Sequence, residues 1–386
     1  MVFFIFYRHI LLDMNIYKKI VKPILFMQDP EKVHDRFTTV GKFFGKFFYT
    51  KKIIKKLFYY ENSKLEQKYF GIQFKNPIGL SAGFDYNINL ASILGDVGFA
   101  FASGGTVTHL PYKGNPKPRL KRLPKSKSLL INKGFKSAGI EEVLKYISFT
   151  QYNPAQIGIS IGATNNPYIC NPPEQIADII ESFRYLIKHK KAETFAYYEL
   201  NISCPNVAGS GVLGEPEVLE NLLAKIRELP LNKPLFVKFQ LEIEWEKAKQ
   251  LIEILIKYKV DAISIANLLK KKKHYQFDNE EIGEIIEKKI PGNFSGKPTE
   301  KLSNELIGKV YQMFGDKIKI IGIGGIFSAE DAYEKIKRGA SLVQLITGMI
   351  FEGPQLIGNI NRDLVKLLEK DGYENIQEAI GAYYKK

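Results

Sequence analysis

Short apolar runs alternate with longer amphipathic stretches from about residue 76 to the end of the chain. This alternation predicts parallel strands joined by helical crossovers. The eight runs that we interpret as strands span 78–82, 99–104, 157–161, 197–202, 235–239, 262–266, 318–323 and 342–346. Eight repeats favour a closed (β/α)8 TIM barrel over an open sheet, with the chemistry on loops after the carboxyl ends of the strands.

Two local patterns add detail to this barrel. Ser328 suits a helix cap, Asp331 follows three residues later, and Gly339 marks the end of the same helix. Residues 68–76 alternate apolar and polar side chains around a glycine, which predicts a small hairpin that closes the bottom of the barrel.

The pattern before the barrel is different. Residues 14–60 contain two helical patterns, 16–27 and 31–48, divided by Asp29 and Pro30, which suit a cap and a first helical position. Residues 1–60 carry 12 Lys or Arg against four acidic residues, a net of +8 within the +15 of the whole chain. Aromatic faces bearing lysine are typical of helices that lie on a membrane surface. The alternative is that this small helical extension packs on the barrel and exposes its lysines to water.

Neither a spanning helix nor a metal cage is predicted. A transmembrane helix needs about 18 consecutive apolar residues, and no run of that length occurs. The two cysteines, Cys170 and Cys204, cannot form a disulfide framework or a sulfur cage for a metal. A reducing compartment is expected. We interpret residues 1–13 as an upstream start-site artefact or an extra tail, which leaves 14–60 and 61–386 as the two units.

The sequence ELNISCPNVAGSG follows the fourth predicted strand and carries the strongest chemical signal. Here the chain resembles dihydroorotate dehydrogenase, whose motif N-x-S-[SC]-P-N surrounds a catalytic base with substrate-binding asparagines. The resemblance covers nearly all of residues 14–386 and implies FMN-dependent oxidation of dihydroorotate to orotate. That reaction requires a side-chain base for the C5 proton while the C6 hydride leaves to the flavin. Cys204 occupies the position of the base.

The resemblance also implies the ligand-binding residues. Amide side chains offer a donor and an acceptor to the edge of the orotate ring, and those at matching strand ends are Asn132, Asn201, Asn206 and Asn267. The positions implied for FMN are Ala82, Gly83, Asp85, Thr106, Ser160, Asn201, Lys238, Gly296, Gly324, Gly325, Ile346 and Thr347. Among them, Lys238 is expected beside flavin N1 and O2, where a cation stabilises the anionic reduced flavin.

The chain departs from the family at the substrate carboxylate. Tyr86 stands where class 2 members carry a lysine that pairs with this group. The substrate loop, which usually reads N-R-M-G-F, is one residue shorter here. Either Lys133 or Lys136 would have to supply the missing cation, and the sequence leaves both open.

Other departures lie at positions where the family contacts the substrate and flavin rings. Ala266 and Leu268 flank Asn267 where the family has two threonines, and Ser160 replaces an asparagine. Each lost hydroxyl costs about 1–2 kcal/mol if its partner stays buried and unpaired. Cys204 itself is of the class 1 type, since class 2 members typically carry serine there.

The N-terminal extension and the motifs LSAGFD and GNPKPRL nevertheless favour class 2. The resemblance therefore implies a role in de novo pyrimidine (UMP) biosynthesis, a membrane quinone as electron acceptor, and a cytoplasmic protein peripheral to the inner face of the cell membrane. Two alternatives remain open. One is a catalytically weakened flavoprotein that serves as a membrane-associated binding module. The other is a tRNA dihydrouridine synthase, whose motif N-x-G-C-P differs from the one present, so no nucleic acid partner is expected.

Overall fold

A closed barrel of eight parallel strands forms the centre of the protein, in a computed structural model that describes residues 16–147 and 155–385. The strands follow one another around the barrel in chain order: β3 Ile78–Leu80, β4 Phe101–Val107, β7 Gln156–Ile161, β8 Tyr197–Asn201, β9 Leu235–Lys238, β10 Ala262–Ile265, β12 Lys319–Ile323 and β13 Leu342–Leu345. All eight predicted strands and the predicted fold class are confirmed. The predicted boundaries differ most at β4, which begins at Phe101 and continues to Val107.

Amphipathic helices connect these strands and each buries one apolar side. In chain order the helices of the barrel are α4 Leu94–Val97, α5 Ile140–Tyr146, α6 Pro172–Lys188, α7 Pro216–Arg227, α8 Trp245–Lys257, α9 Asn279–Glu287, α10 Glu300–Phe314, α11 Ala329–Lys337, α12 Thr347–Glu352, α13 Leu356–Asp371 and α14 Ile376–Ala379. The predicted cap of α11 is confirmed, because the Ser328 hydroxyl accepts the Asp331 N–H at 3.3 Å.

The bottom of the barrel is closed by the predicted hairpin, β1 Gln67–Tyr69 and β2 Ile72–Phe74. Ile72 and Phe74 join a buried cluster with residues from the first halves of the barrel strands. The Phe74 ring meets that of Phe101 edge to face at 5.4 Å. The barrel therefore opens only toward the carboxyl ends of its strands, as the hairpin pattern predicted.

A second sheet was not predicted from the sequence. It has three antiparallel strands, β5 Leu120–Leu123, β6 Ser128–Ile131 and β11 Asn293–Gly296, in the order β11-β6-β5. It comes from loops after barrel strands and forms one side of the barrel mouth, where Leu129 and Ile131 line the central cavity.

Helices also form the segment before the barrel. A π-helical turn, Tyr17–Val21, continues into α1 Lys22–Phe26, and α2 Pro30–Phe44 and α3 Phe48–Phe58 follow. Asp29 caps α2 as predicted, with its carboxylate accepting the Lys32 N–H at 2.8 Å. The prediction of one helix through residue 48 was wrong, because the chain leaves the helix after Phe44 and is extended at Phe47 before α3 begins.

A buried ion pair joins this segment to the barrel loops. Arg119 donates to Glu31 of α2 at 2.6 Å from Nη2 and at 3.1 Å from Nε. Tyr17 donates its hydroxyl to the Ile350 carbonyl at 2.6 Å.

None of the helices in the described part of the chain combines the length and apolarity needed to cross a membrane.

Candidate flavin and substrate site

A cavity of about 1200 Å³, counting its open mouth, lies at the carboxyl ends of the barrel strands. Thirteen of the sixteen predicted site residues line it: Ala82, Gly83, Thr106, Asn201, Cys204, Asn206, Lys238, Asn267, Gly296, Gly324, Gly325, Ile346 and Thr347. The barrel thus brings together residues that are up to 265 positions apart in the chain, from Ala82 to Thr347. Ala266 and Leu268 line the same cavity and present no hydroxyl to it.

Asp85 lies behind the cavity wall. Its carboxylate accepts the N–H groups of Asn89 and Leu90 at 2.8 and 2.7 Å, and its carbonyl accepts the N–H of Gly105 at 2.8 Å. Burial raises the pKa of Asp85 to about 6, although these backbone hydrogen bonds oppose the shift. Asp85 shapes the loop after β3 from behind.

Ser160 and Asn132 also lie behind residues that face the cavity. The Ser160 hydroxyl lies 3.2 Å from the Thr106 hydroxyl, so it supports Thr106 from within the barrel. The side-chain oxygen of Asn132 accepts a hydrogen bond from Asn115 Nδ2 at 2.9 Å. Asn115, in the GNPKPRL motif, was missed as a site residue; Asn165 in turn donates to it at 3.0 Å. A chain of three amides therefore orders this side of the mouth.

Cys204 is half-buried and follows β8 directly. Burial raises the pKa of its thiol to about 11, against the opposing influence of Lys238 and Lys270. At neutral pH the side chain is therefore a thiol, and only a small fraction is thiolate. As a base it gains strength from this shift, because a thiolate with a higher pKa holds a proton more tightly.

The amides near Cys204 are connected by hydrogen bonds. Ser203 donates its hydroxyl to Asn201 Oδ1 at 3.1 Å and accepts from Asn267 Nδ2 at 2.9 Å. Asn201 also donates to the Thr106 hydroxyl at 2.8 Å. On the other side, Asn206 donates to the Ile131 carbonyl at 3.1 Å. These contacts fix the orientation of three of the predicted amides at the cavity wall.

Lys238 ends β9 with its ammonium group inside the barrel mouth. Its side chain is buried, and Nζ donates to Ser81 Oγ at 2.9 Å and to the Ala82 carbonyl at 3.0 Å. Burial lowers the pKa of Lys238, while the charges of Glu199 and Cys204 oppose that shift. Two neutral acceptors thus hold one cation that faces the cavity.

The cavity residues fit FMN. Gly324, Gly325 and Gly296 all have positive φ, at 113°, 74° and 85°. A Cβ on Gly325 would lie 2.4 Å from Glu300 Cβ, and one on Gly324 would lie 2.5 Å from Thr299 Oγ1. Glycine is therefore required at these turns, and its amides are free of side-chain cover where a phosphate approaches. Together with the ammonium of Lys238, this donor set suits a phosphorylated ring that accepts electrons.

The two lysines of the substrate loop have different surroundings. The ammonium of Lys133 contacts the Tyr86 hydroxyl and lies 4.5 Å from the centre of its ring. That of Lys136 lies 3.2 Å from Glu31 Oε1 and 3.7 Å from Asp35 Oδ2. Within the described residues Lys133 forms no ion pair with a carboxylate. Burial lowers its pKa to about 8.

His34 of α2 completes this side of the cavity. Its Nε2 lies 2.7 Å from the Phe84 carbonyl and its Nδ1 lies 3.3 Å from the Tyr86 hydroxyl. Burial, followed by the charge of Lys133, lowers the pKa of His34 to about 4, so the ring is neutral at physiological pH. No sequence pattern indicated His34 as a site residue, because its position at the cavity depends on how α2 docks on the barrel.

Comparisons with known proteins agree with this site. The family model described as dihydroorotate dehydrogenase matches residues 64–368. A protein named dihydroorotate dehydrogenase (quinone) from Crocosphaera subtropica is 40% identical over 328 residues, which are 84% of each chain. One of the same name from Nostoc punctiforme is 34% identical over 380 residues, covering 95% of this chain and 98% of the relative. The crystal structure of DHODH from Eimeria tenella in complex with ferulenol superimposes with a TM-score of 0.77 at 25% identity, covering 93% of this chain and 96% of that one.

Proposed function

This chain belongs to the dihydroorotate dehydrogenase family, and we propose that it oxidises (S)-dihydroorotate to orotate and passes the electrons to a membrane quinone. The reaction is the redox step of de novo UMP biosynthesis. The observation that carries the proposal is the common cavity that Cys204, three amide side chains, Lys238 and the glycine turns line. It combines a base, a polar ring site and a flavin site within one barrel mouth.

In this proposal each group of side chains has a distinct role in binding or catalysis. Asn201, Asn206 and Asn267 hold the edge of the substrate ring, because each amide offers a donor and an acceptor. The thiolate form of Cys204 takes the C5 proton from the substrate, and the thiol that results loses this proton to solvent or to a neighbouring group before the next turnover. The glycine turns and Lys238 would hold FMN, which would supply the acceptor for the C6 hydride when bound. The Lys238 ammonium offsets the negative charge that develops beside it.

Lys133 offers a cation to the substrate carboxylate on the loop side of the cavity. The Lys136 ammonium is paired with Glu31 and Asp35, whereas that of Lys133 contacts Tyr86 and forms no ion pair within the part of the chain that the structure describes. A buried cation that forms no direct ion pair favours binding of an anion that can replace its lost water. Lys133 is therefore the residue that we assign to the carboxylate, in place of the family lysine that Tyr86 replaces.

The quinone and membrane parts of the proposal rest on the N-terminal segment. The cavity continues between His34, Leu120 and Ile350, so an apolar ring has a path toward the helices. Most exposed large hydrophobic side chains lie on these helices: Ile20, Ile24, Met27, Phe37, Val40, Phe43, Phe44, Phe47, Phe48, Tyr49, Ile53 and Leu57. Exposed lysines accompany them, a combination that favours the surface of an anionic bilayer. The proposed location is the inner face of the cell membrane.

Vesicle flotation tests this contact. We expect the protein to float with vesicles that contain anionic lipid, and the double variant F48S/Y49S to float much less. The variant Y146S/Y168S removes two exposed rings elsewhere on the surface and serves as the matched control. Equal flotation of the two variants would contradict a role for the N-terminal helices.

The reaction itself is tested by anaerobic titration of the flavin-loaded protein with dihydroorotate. We expect stoichiometric bleaching of the flavin band, and at least a hundredfold slower bleaching in C204A, because a positioned base contributes about 10²–10⁴-fold. A wild-type flavin that stays oxidised would overturn the proposal. Ala266 and Leu268 favour the second candidate in that case, a flavoprotein that binds ligands without turning them over.

A further inference from the structure

Polar side chains fill a layer inside the barrel, beneath the cavity. They come from alternate strands, β4, β8, β10 and β13, as side chains in one layer of a TIM barrel do. Bulky branched residues are the usual filling, but the four residues here are Ser103, Glu199, Ser264 and Gln344, each at most 1 % exposed. An apolar layer would close the barrel without desolvating a carboxyl group, so this composition requires another explanation.

A chain of hydrogen bonds ends at the Glu199 carboxyl group. Its Oε2 accepts the Ser103 hydroxyl at 2.9 Å. Ser103 Oγ in turn lies 3.0 Å from the Tyr197 hydroxyl and accepts from Gln344 Nε2 at 3.1 Å. Serine has a single hydroxyl proton. Because Ser103 uses this proton in its hydrogen bond to Glu199, the Tyr197 hydroxyl must donate to Ser103. The chain thus supplies one hydroxyl donor to Glu199 Oε2, while Oε1 has no hydrogen-bond partner among the described residues.

Lys238 lies just above this layer. It carries a positive charge, and the acceptors of its ammonium group, Ser81 Oγ and the Ala82 carbonyl, are neutral. The register partners of Lys238 are Asn201 on β8, two positions beyond Glu199, and Ser264 on β10. No ion pair of Lys238 or of Glu199 with a group within 4.0 Å occurs in the described part of the chain. The charge of Glu199 is nevertheless the first of those that oppose the lowering of the Lys238 pKa, and the register of β8 and β9 places the two residues near each other.

We propose that Glu199 is the counter-charge of Lys238 and a positioning residue for the redox reaction. It keeps the lysine protonated and brings the net charge beneath the flavin close to zero. The inference rests on the flavin site of the proposed function but not on the identity of the substrate. Other titratable groups that face the pair are Cys204, from the loop after β8, and Tyr197, whose burial raises its pKa well above the usual value and keeps it neutral.

Removal of the negative charge alone has a predictable effect on the flavin. In E199Q the shape and the hydrogen bond from Ser103 are retained, but Lys238 becomes uncompensated. At pH 6.5, where the lysine is still protonated, we expect a more positive flavin midpoint potential than in the wild type, because the added positive charge stabilises reduced flavin. That difference should shrink by pH 9, because loss of a nearby opposite charge lowers the pKa of a lysine by about one unit or more.

Two variants control this measurement, in which dithionite reduces the flavin in the presence of redox dyes. E199D keeps the charge and should return the potential close to that of the wild type. S264A removes a neutral hydroxyl from the same layer and should leave the potential unchanged. A potential in E199Q equal to that of the wild type at both pH values, or a shift that S264A reproduces, would overturn the proposal.

Urea unfolding in excess FMN supplies a second test that does not depend on E199Q being stable. Breaking a buried charge pair is far more costly than removing both charges. We expect E199Q/K238M to unfold at a higher urea concentration than K238M alone, and to fold even if E199Q does not. A double variant that unfolds at the same urea concentration as K238M or at a lower one would show that the charges are uncoupled. Neither the potential nor the unfolding measurement uses dihydroorotate, so both can be interpreted even if the proposed reaction fails.

Discussion

The cavity has two walls, each with one buried lysine, and the two lysines are held in different ways. On the flavin wall, formed by the strand ends around Lys238, the ammonium group bonds to Ser81 and to a backbone carbonyl. On the substrate loop, residues 132–136, Lys133 contacts the side chain of Tyr86, beside which His34 of α2 lies. The first cation is fixed by the barrel itself. The second depends on side chains from a neighbouring loop and on the docking of the N-terminal helices.

The largest effect is expected when the flavin wall loses its cation. In K238M we expect the rate of flavin reduction by dihydroorotate to fall about 100- to 1000-fold, because one preorganised group at a developing charge contributes on this scale. Anaerobic stopped-flow absorbance measures this rate. Orotate affinity should change little, since Lys238 is assigned to the flavin. Reduction at the wild-type rate in K238M would contradict the division into two walls.

A change in the substrate loop should affect binding instead. In K133M we expect the dissociation constant of orotate to rise about 10- to 100-fold, because a hydrogen bond to a charged group contributes about 1.5–3 kcal/mol. Perturbation of the flavin spectrum by orotate measures the constant. FMN should remain bound, since Lys133 lies on the opposite wall.

Moving the charge sharpens this test. Tyr86 touches the Lys133 ammonium, so a lysine at position 86 reaches nearly the same place. We expect K133M/Y86K to recover most of the orotate affinity, and K136M to remain within about threefold of the wild type because Lys136 pairs with Glu31. If K136M weakens orotate as much as K133M does, the assignment of the carboxylate to Lys133 is wrong.

The sequence predicted the flavin wall better than the substrate loop. Barrel strands repeat a pattern that forces their ends to one face, so Lys238 and Asn267 could be placed from their positions at strand ends alone. The substrate loop has no such constraint. Gly134 and Phe135 both take positive φ, at 64° and 60°, and this turn separates the surroundings of Lys133 and Lys136. Our proposal that Lys133 binds the carboxylate therefore rests on the loop conformation, which the residue pattern does not contain.

Side-chain direction limited the remaining predictions. Asp85 and Ser160 occupy positions that match the family, but each faces a neighbouring loop or strand and supports it. The strands of the three-stranded sheet were missed because they are only four residues long and one reads LKRL, which is not an apolar run. Such elements form where tertiary contacts supply the partner, and local propensity alone does not identify them.

The smallest expected effect separates the two walls through the pH dependence of the base. Cys204 has a pKa of about 11 because burial raises it, and Lys238 is among the charges that oppose the rise, whereas Lys133 is not. At saturating substrate concentration the binding role of Lys133 no longer limits the reaction and the rate of flavin reduction follows the thiolate fraction of the enzyme–substrate complex, so it should increase about tenfold from pH 7 to pH 8. K133M should keep this slope, because loss of the distant lysine leaves the thiol unchanged. K238M should move the upper end of the profile to still higher pH. Stopped-flow pH jumps to final values from pH 6 to pH 12 measure both profiles, and a flat wild-type profile would mean that Cys204 is already ionised or is not the base.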